Sequence, residues 1–220
     1  MKKVCLFLLY ATMVASLLAG CSSHDTFTQG SYTADAAQIQ SVHIDVRDRQ
    51  IEVCPSSDDR IHLAYSESSK ESYNISVSDD QTLIMTGKTD KAWSDYIGGK
   101  TAAENRKIVL QIPDAHLVEL VLSTTNEDVS LSALTVAGDI SLSTNGGNIY
   151  FDKLQTDGSI VLDAKNGNIT GTIAGSYDDY AISCDIKKGE SNLPANKESG
   201  TKQLYVSQNN GDIDIDFINE

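Results

Sequence analysis

A chain of 220 residues with 31 Asp+Glu against 17 Lys+Arg carries a formal charge of -14. So acidic a body is repelled by DNA, RNA and anionic membrane, and no basic patch in the sequence offsets it, which excludes nucleic-acid binding. Hydrophobic residues make up 40%, enough for a folding chain, while aromatic residues are only 6%, too sparse for a rich carbohydrate-stacking surface.

The chain opens with Met1-Lys2-Lys3, an apolar run from Val4 to Leu18, and Leu18-Ala19-Gly20-Cys21. A charged start, an apolar middle and small residues follow the order of a secretory signal. The apolar run is shorter than the ~20 residues a membrane-spanning helix needs, and Ser22, Ser23, His24 and Asp25 follow it with no basic stop. The cysteine after Ala19-Gly20 resembles the lipobox of bacterial lipoproteins. That resemblance implies cleavage before Cys21, diacylglycerol on its thiol, and a domain tied to the bilayer on the extracytoplasmic side of the cell membrane. Residues 1–20 are then a signal peptide and 21–35 a tether rich in Ser, Thr, Asp and Gly. Loss of Lys2 and Lys3 moves the charge to -16.

From residue 36 the recurring signal is alternation with period two, which predicts strands rather than helices. Val42–Val46, Ile51–Val53, Ile61–Tyr65, Tyr73–Val77, Thr82–Met85 and Ile108–Ile112 form an irregular N-terminal half, 36–113. Between them lies the longer mixed stretch Lys88–Arg106, whose Trp93 and Tyr96 are candidate partner-binding residues; the competing reading is a flap that covers the stack.

Residues 114–217 repeat. Leu120-Val121-Leu122, Ile140-Ser141-Leu142 and Ile160-Val161-Leu162 recur every twenty residues, as do Val129, Ile149 and Ile169. Leu131 matches Phe151, and Leu134 matches Leu154. The links match as well: Asn126-Glu127-Asp128-Val129, Gly146-Gly147-Asn148-Ile149, Asn166-Gly167-Asn168-Ile169 and, later, Asn210-Gly211-Asp212-Ile213. A fixed period of short strands joined by glycine turns predicts a β-solenoid, in which stacked coils share one interior. Each coil is expected to give two strands. Ile182–Ile186 with Leu193 reads as a stretched coil between the third repeat and the one containing Leu204-Tyr205-Val206. Hairpins in a sandwich are the alternative for Asn-Gly turns, but a sandwich has no reason to keep a step of twenty. Ser176–Tyr180 is a second insert, and its Tyr177 and Tyr180 are further partner-binding candidates.

Ser41–Val46 with Ile51-Glu52-Val53, Ile112-Pro113, and the serial Asn-Gly-Asn-Ile and Asn-Gly-Asp-Ile coils together resemble a bacterial family of adhesin-like domains of unknown function. The likeness runs from about Ala36 to Phe217 and implies a β-solenoid of the surface or envelope. Some members are linked with envelope-stress systems. The family has no agreed catalytic residues, so none is carried over.

The residues themselves offer little chemistry. His24, His43, His62 and His116 form no metal-binding pair, and neither a nucleophile elbow nor a phosphate loop is present. Asp139 with Asp157 or Asp163 is the only pairing worth weighing for glycan cleavage. Asp128, Asn148, Asn168 and Asp212 recur at matching corners and offer oxygen to calcium, but turn formation explains them better. Of the four cysteines, Cys5 leaves with the signal and Cys21 takes lipid; Cys54 and Cys184 form either a bridge or, as their separation favours, two buried thiols. The sequence thus predicts a non-enzymatic, lipid-anchored binding or scaffold module without a cofactor, meeting an envelope protein or glycan. A structural or stress-related component without a ligand is the alternative.

Overall fold

The computed structural model describes residues 26–91 and 100–219. The first half runs β1 (Thr28–Asp35), β2 (Ser41–Asp45), β3 (Gln50–Pro55), β4 (Arg60–Glu67), β5 (Glu71–Val77), β6 (Thr82–Thr89) and β7 (Lys107–Ile112). The repeats follow as β8 (Glu119–Thr124), β9 (Val129–Leu131), β10 (Leu134–Val136), β11 (Asp139–Thr144), β12 (Ile149–Thr156), β13 (Ser159–Asn166) and β14 (Ile169–Ala174). Last come β15 (Tyr180–Ile186), β16 (Asn196–Lys197), β17 (Lys202–Asn210) and β18 (Ile213–Ile218).

The twenty-residue step becomes stacking. Strands β8, β11, β13 and β17 pair in parallel, and Leu122, Leu142, Leu162 and Val206 share one register row. Each is at most 2% exposed. In the second sheet Ile51, Val129, Ile149, Ile169 and Ile213 form the facing row across β3, β9, β12, β14 and β18. The two rows meet in a continuous aliphatic interior. One coil alone exposes its apolar face, so the fold draws its stability from its neighbours. The coil from 119 to 136 gives three short strands rather than two, with β10 also stacked on β12 through Leu134 and Leu154.

Stacking order differs from chain order at both ends. Strand β17 lies between β13 and β15, so the coil at 180–193 stands outside the coil at 202–218, not before it. At the other end β2 and β3 lie inside, against β8 and β9, while β6 and β7 form the outer coil. The coils therefore stack as 82–112, 41–55, 119–136, 139–156, 159–174, 202–218 and 180–193. This placement pairs the last long strand of the β8 sheet on both sides, where a chain-end strand would otherwise fray.

Antiparallel strands close the ends. Strand β4 covers β7 and β1 covers β4; β5 covers β6; the two-residue β16 covers part of β15. Strand β1 corrects the expected tether: Thr28–Asp35 is fully paired with Arg60–Glu67, because its alternating residues lie along the open edge of β4.

The glycines of the corners have a packing cause. A Cβ on Gly147 would overlap the carbonyl of Glu127; on Gly167, that of Gly147; on Gly211, that of Gly167; and on Gly189, that of Gly211. They form one column in stacking order, in which each turn lies directly on the next.

Candidate binding surface

The same corners carry a ladder of side-chain caps. Asp128 Oδ1 accepts the Asn148 N–H at 2.7 Å, Asn148 Oδ1 that of Asn168 at 2.8 Å, Asn168 Oδ1 that of Asp212 at 3.0 Å, and Asp212 Oδ1 that of Glu190 at 2.9 Å. These oxygens thus satisfy turn donors of the next coil, the turn role the sequence favoured over calcium. Replacing Asn168 by Ala leaves the Asp212 N–H without this acceptor. It should cost about 1 kcal/mol and lower the thermal midpoint by about 2–4 °C, read by far-UV circular dichroism.

The glycan-cleaving pairing finds no support. Asp139 Oδ1 accepts from Ser159 N at 2.7 Å and Ser159 Oγ at 2.8 Å, and these bonds hold its carboxyl below the usual range. A general acid needs the opposite shift. Asp157 is exposed and lies 3.5 Å from Lys202 Nζ. His43 contacts Glu119, His62 contacts Asp58, and His116 meets the Ala36 and Ile39 carbonyls. His24 lies outside the described residues. Among the described residues no group of three or more His, Cys, Asp and Glu is placed to hold a metal ion.

Of the aromatic candidates, Tyr180 is corrected to a core residue. It is fully buried, tilted against Phe217 at 5.6 Å, and its hydroxyl has no partner among the described residues. Burial, with Asp179 and Asp157 nearby, pushes that phenol up to about 12. The ring packs inward because it opens β15, where Tyr180, Ile182 and Cys184 line the inner face. Tyr177 remains partly exposed, edge-on to Phe217 at 5.4 Å, with Lys197 Nζ 4.9 Å above its ring. Trp93 and Tyr96 lie outside the described residues.

Both ends of the segment that carries Trp93 and Tyr96 are nevertheless pinned to one corner. Glu71 accepts from Lys91 Nζ at 2.6 Å, from Thr101 Oγ1 at 3.2 Å, and from Arg49. Arg49 also donates to the Tyr73 hydroxyl at 2.6 Å and to the Asp48 carbonyl at 3.0 Å. Glu127 takes Lys100 at 2.8 Å together with Arg106. Burial works against the charges of both Arg49 and Glu71. It is outweighed by Tyr73 and Glu71 for the guanidinium, which is raised, and by Lys91 and Arg49 for the carboxyl, which is lowered. Asp48 turns the chain here with φ of 54°, its Oδ1 held by Asn126 Nδ2 at 2.6 Å.

Above this network opens a cavity of about 250 Å³, lined by Arg47, Arg49, Glu71, Tyr73, Lys88 and Thr89. A neighbouring hollow of about 370 Å³ adds Lys91, Asn126 and Asn145. These cations are scattered along the chain, so no basic patch is visible in the sequence; stacking brings them to one corner.

Cys54 and Cys184 are unpaired. Cys184 is buried as expected. Cys54 is not: on β3 the inward positions are Ile51 and Val53, so Cys54 points outward, where Gln111 Nε2 lies 3.8 Å from its sulfur. Among the described residues no helix is long and apolar enough to cross a membrane.

Fold and surface together define an all-β solenoid module, two parallel sheets closed by antiparallel caps. The chain belongs to the Toastrack DUF4097 family, whose model matches residues 39–215. Its fold is similar to that of a candidate cell adhesion protein from Clostridium sporogenes, with a TM-score of 0.56 at 10% identity over 88% of this chain and 100% of that one. A candidate adhesin from Bacteroides fragilis aligns at 14% identity over 87% of this chain and 97% of that one, with a TM-score of 0.38. No curated protein matches the chain.

Proposed function

We propose that the protein is a lipid-anchored, non-catalytic module of the cell envelope that binds or scaffolds through the sides of its solenoid. The observation that carries this reading is the use made of the corner carboxylates and amides. They cap the turns of the next coil, and Asp139 is held as a structural acceptor. What is left for function is an extended surface. The C. sporogenes relative is described as a candidate cell adhesion protein, which fits a surface role.

The anchor reading rests on Val4–Leu18 and Leu18-Ala19-Gly20-Cys21. Cys21 lies outside the described residues, and β1 begins at Thr28. The intervening chain reaches at most about 25 Å, so lipid on Cys21 holds the capped β1–β4 end close to the bilayer, with residues 36–217 as the working domain. Trp93, Tyr96 and Tyr177 are the residues proposed to meet a partner, the first two on the segment pinned at Glu71 and Glu127.

Substituting Cys21→Ser should move the protein from the membrane fraction to the soluble fraction and abolish labelling by a palmitate analogue. Retention of both would overturn the anchor. Trp93→Ala with Tyr96→Ala should cut capture of a crosslinked envelope partner while the circular dichroism spectrum stays unchanged.

A further inference from the structure

The stacking order aligns cations that are far apart in sequence. From the strand registers, Lys88, Arg47, Thr125, Asn145, Lys165, Asn209 and Lys187 occupy equivalent positions of successive coils. The next position holds Asp48, Asn126, Gly146, Asn166, Asn210 and Lys188. One corner of the solenoid thus carries two adjacent columns with cations at Lys88, Arg47, Lys165, Lys187 and Lys188, amides or a hydroxyl between them, and Asp48 as the sole carboxylate.

Two observations set this corner apart. The side chains of Arg47, Lys88, Lys165, Lys187 and Lys188 are exposed and make no hydrogen bond or ion pair among the described residues. In contrast, Arg49, Lys100, Arg106 and Lys107 are each held by a carboxylate. The carboxylates nearest the corner are mostly engaged: Asp48 by Asn126, Asp128 and Asp212 by turn N–H groups, Glu71 and Glu127 by two cations each. Asp45, Asp163 and Asp185 stand two residues before Arg47, Lys165 and Lys187 and border the track on the β8 sheet.

We propose that this corner is a binding track for a linear polyanion, a polymer bearing phosphate or carboxylate groups at intervals, which runs along the stack from Lys88 to Lys188. With neighbouring strands ~4.8 Å apart, Arg47 and Lys165 lie ~14 Å apart and Lys165 and Lys187 ~10 Å apart. Only an extended ligand reaches all of them. Between the cations Asn145 and Asn210 offer amide donors to the polymer's neutral oxygens, while Asn166 Nδ2 donates to the Asn145 carbonyl at 3.1 Å. The overall charge of -14 opposes approach, but it is screened beyond about 8 Å at physiological ionic strength, so the contacting groups decide affinity. The proposal deepens the surface-binding reading and rests on it, naming the class of ligand.

The test uses the full chain in detergent micelles with inorganic polyphosphate, polygalacturonate and neutral dextran as probes, by fluorescence anisotropy at low and physiological ionic strength. Saturable, salt-sensitive binding of polyphosphate or of polygalacturonate is expected, and the stronger of the two identifies phosphate or carboxylate as the preferred group. The triple variant Lys165→Gln, Lys187→Gln, Lys188→Gln should bind about 3- to 100-fold more weakly. The variant Arg60→Gln, Lys153→Gln, Lys202→Gln changes net charge equally away from the track, Lys202 lying at the far end of β17 beside Thr156 and Asp157, and should bind within twofold of the native chain (about 0.4 kcal/mol). Equal loss in both triple variants, or binding of neither polyanion, would overturn the track. The Cys21→Ser fractionation is independent of that outcome, so failure of the track is distinguishable from failure of the surface reading.

Discussion

Replacing Gly211 by alanine should destabilise the protein by about 3–4 kcal/mol, near the top of the range for a single substitution. Two costs act together. Gly211 has φ of 147°, a region that a residue with a Cβ rarely adopts. Its missing Cβ would also fall on the Gly167 carbonyl oxygen of the coil below. Relief requires the 202–218 coil to lift, and that coil is held from both sides in the β8 sheet. The strain therefore spreads to β15 and its cap. Gly146→Ala is the control: Gly146 has no positive φ, and its nearest neighbour is the Asn126 side chain at 3.0 Å, which can give way. It should cost less than about 1 kcal/mol. Urea denaturation of both variants checks the pair, with the Gly211 variant expected to lose most of the midpoint and the Gly146 variant little. Similar midpoints would mean that the glycine column does not set the spacing of the coils.

The second large effect concerns Glu71. The side chains of Arg49 and Glu71 are 5% and 9% exposed, and Lys91 and Thr101 share the same carboxylate. Changing Glu71→Gln removes the only carboxylate that faces the buried Arg49 guanidinium in this ion pair and leaves neutral acceptors alone, and should cost about 3 kcal/mol. Changing both partners, Arg49→Met with Glu71→Leu, removes the stranded charge and should cost less than the sum of the single changes, the signature of direct coupling. Acid dependence follows from the sign of the shift. Because the folded carboxyl is lowered, its contribution is present above the ordinary Glu value of about 4.3 and is lost as pH falls through the lowered value. The native chain should lose stability on acidification, and the Glu71→Gln chain should show a flatter acid limb in the same titration.

Much of the fold was legible because its physics is repetitive. Leu122, Leu142 and Leu162 share a step of twenty only if they land over one another, and Asn166-Gly167 and Asn210-Gly211 announce the same turn forty-four residues apart. The order of the end coils was not legible. Ile182-Ser183-Cys184 and Leu204-Tyr205-Val206 have the same alternation, and either could stack on Ile160-Val161-Leu162; strand pattern does not choose between them. The signal that did choose was in the corners. Asn210-Gly211-Asp212 repeats Asn166-Gly167-Asn168 closely, whereas Lys188-Gly189-Glu190 keeps only the glycine. Arg49 was missed for a related reason: it sits at the column position that Glu127 and Gly147 occupy, and only the coil order shows that it is buried. The basic corner was invisible for the same cause, since Arg47, Lys88, Lys165 and the Lys187-Lys188 pair lie far apart in the sequence. Cys54 was misplaced by one pleat, the error to which a period of two is most exposed, and Tyr180 was read as part of the Ser176–Tyr180 insert although it opens β15 and turns inward.

The coil order carries the glycine column, the buried Arg49 and the aligned cations alike, and a pair of engineered cysteines tests it most directly. In a chain with Cys54→Ser and Cys184→Ala, Asp163→Cys with Ser207→Cys places two thiols on paired residues of β13 and β17, ~4.8 Å apart between Cα atoms. Asp163→Cys with Asp185→Cys places them two strands apart, ~9.6 Å, beyond the span of about 7 Å that a disulfide bridges. Under mild oxidation the 163–207 pair is predicted to close rapidly and the 163–185 pair to stay open, read by mobility in non-reducing gels. Rapid closure of 163–185 with 163–207 left open would put β15 next to β13 and contradict the account.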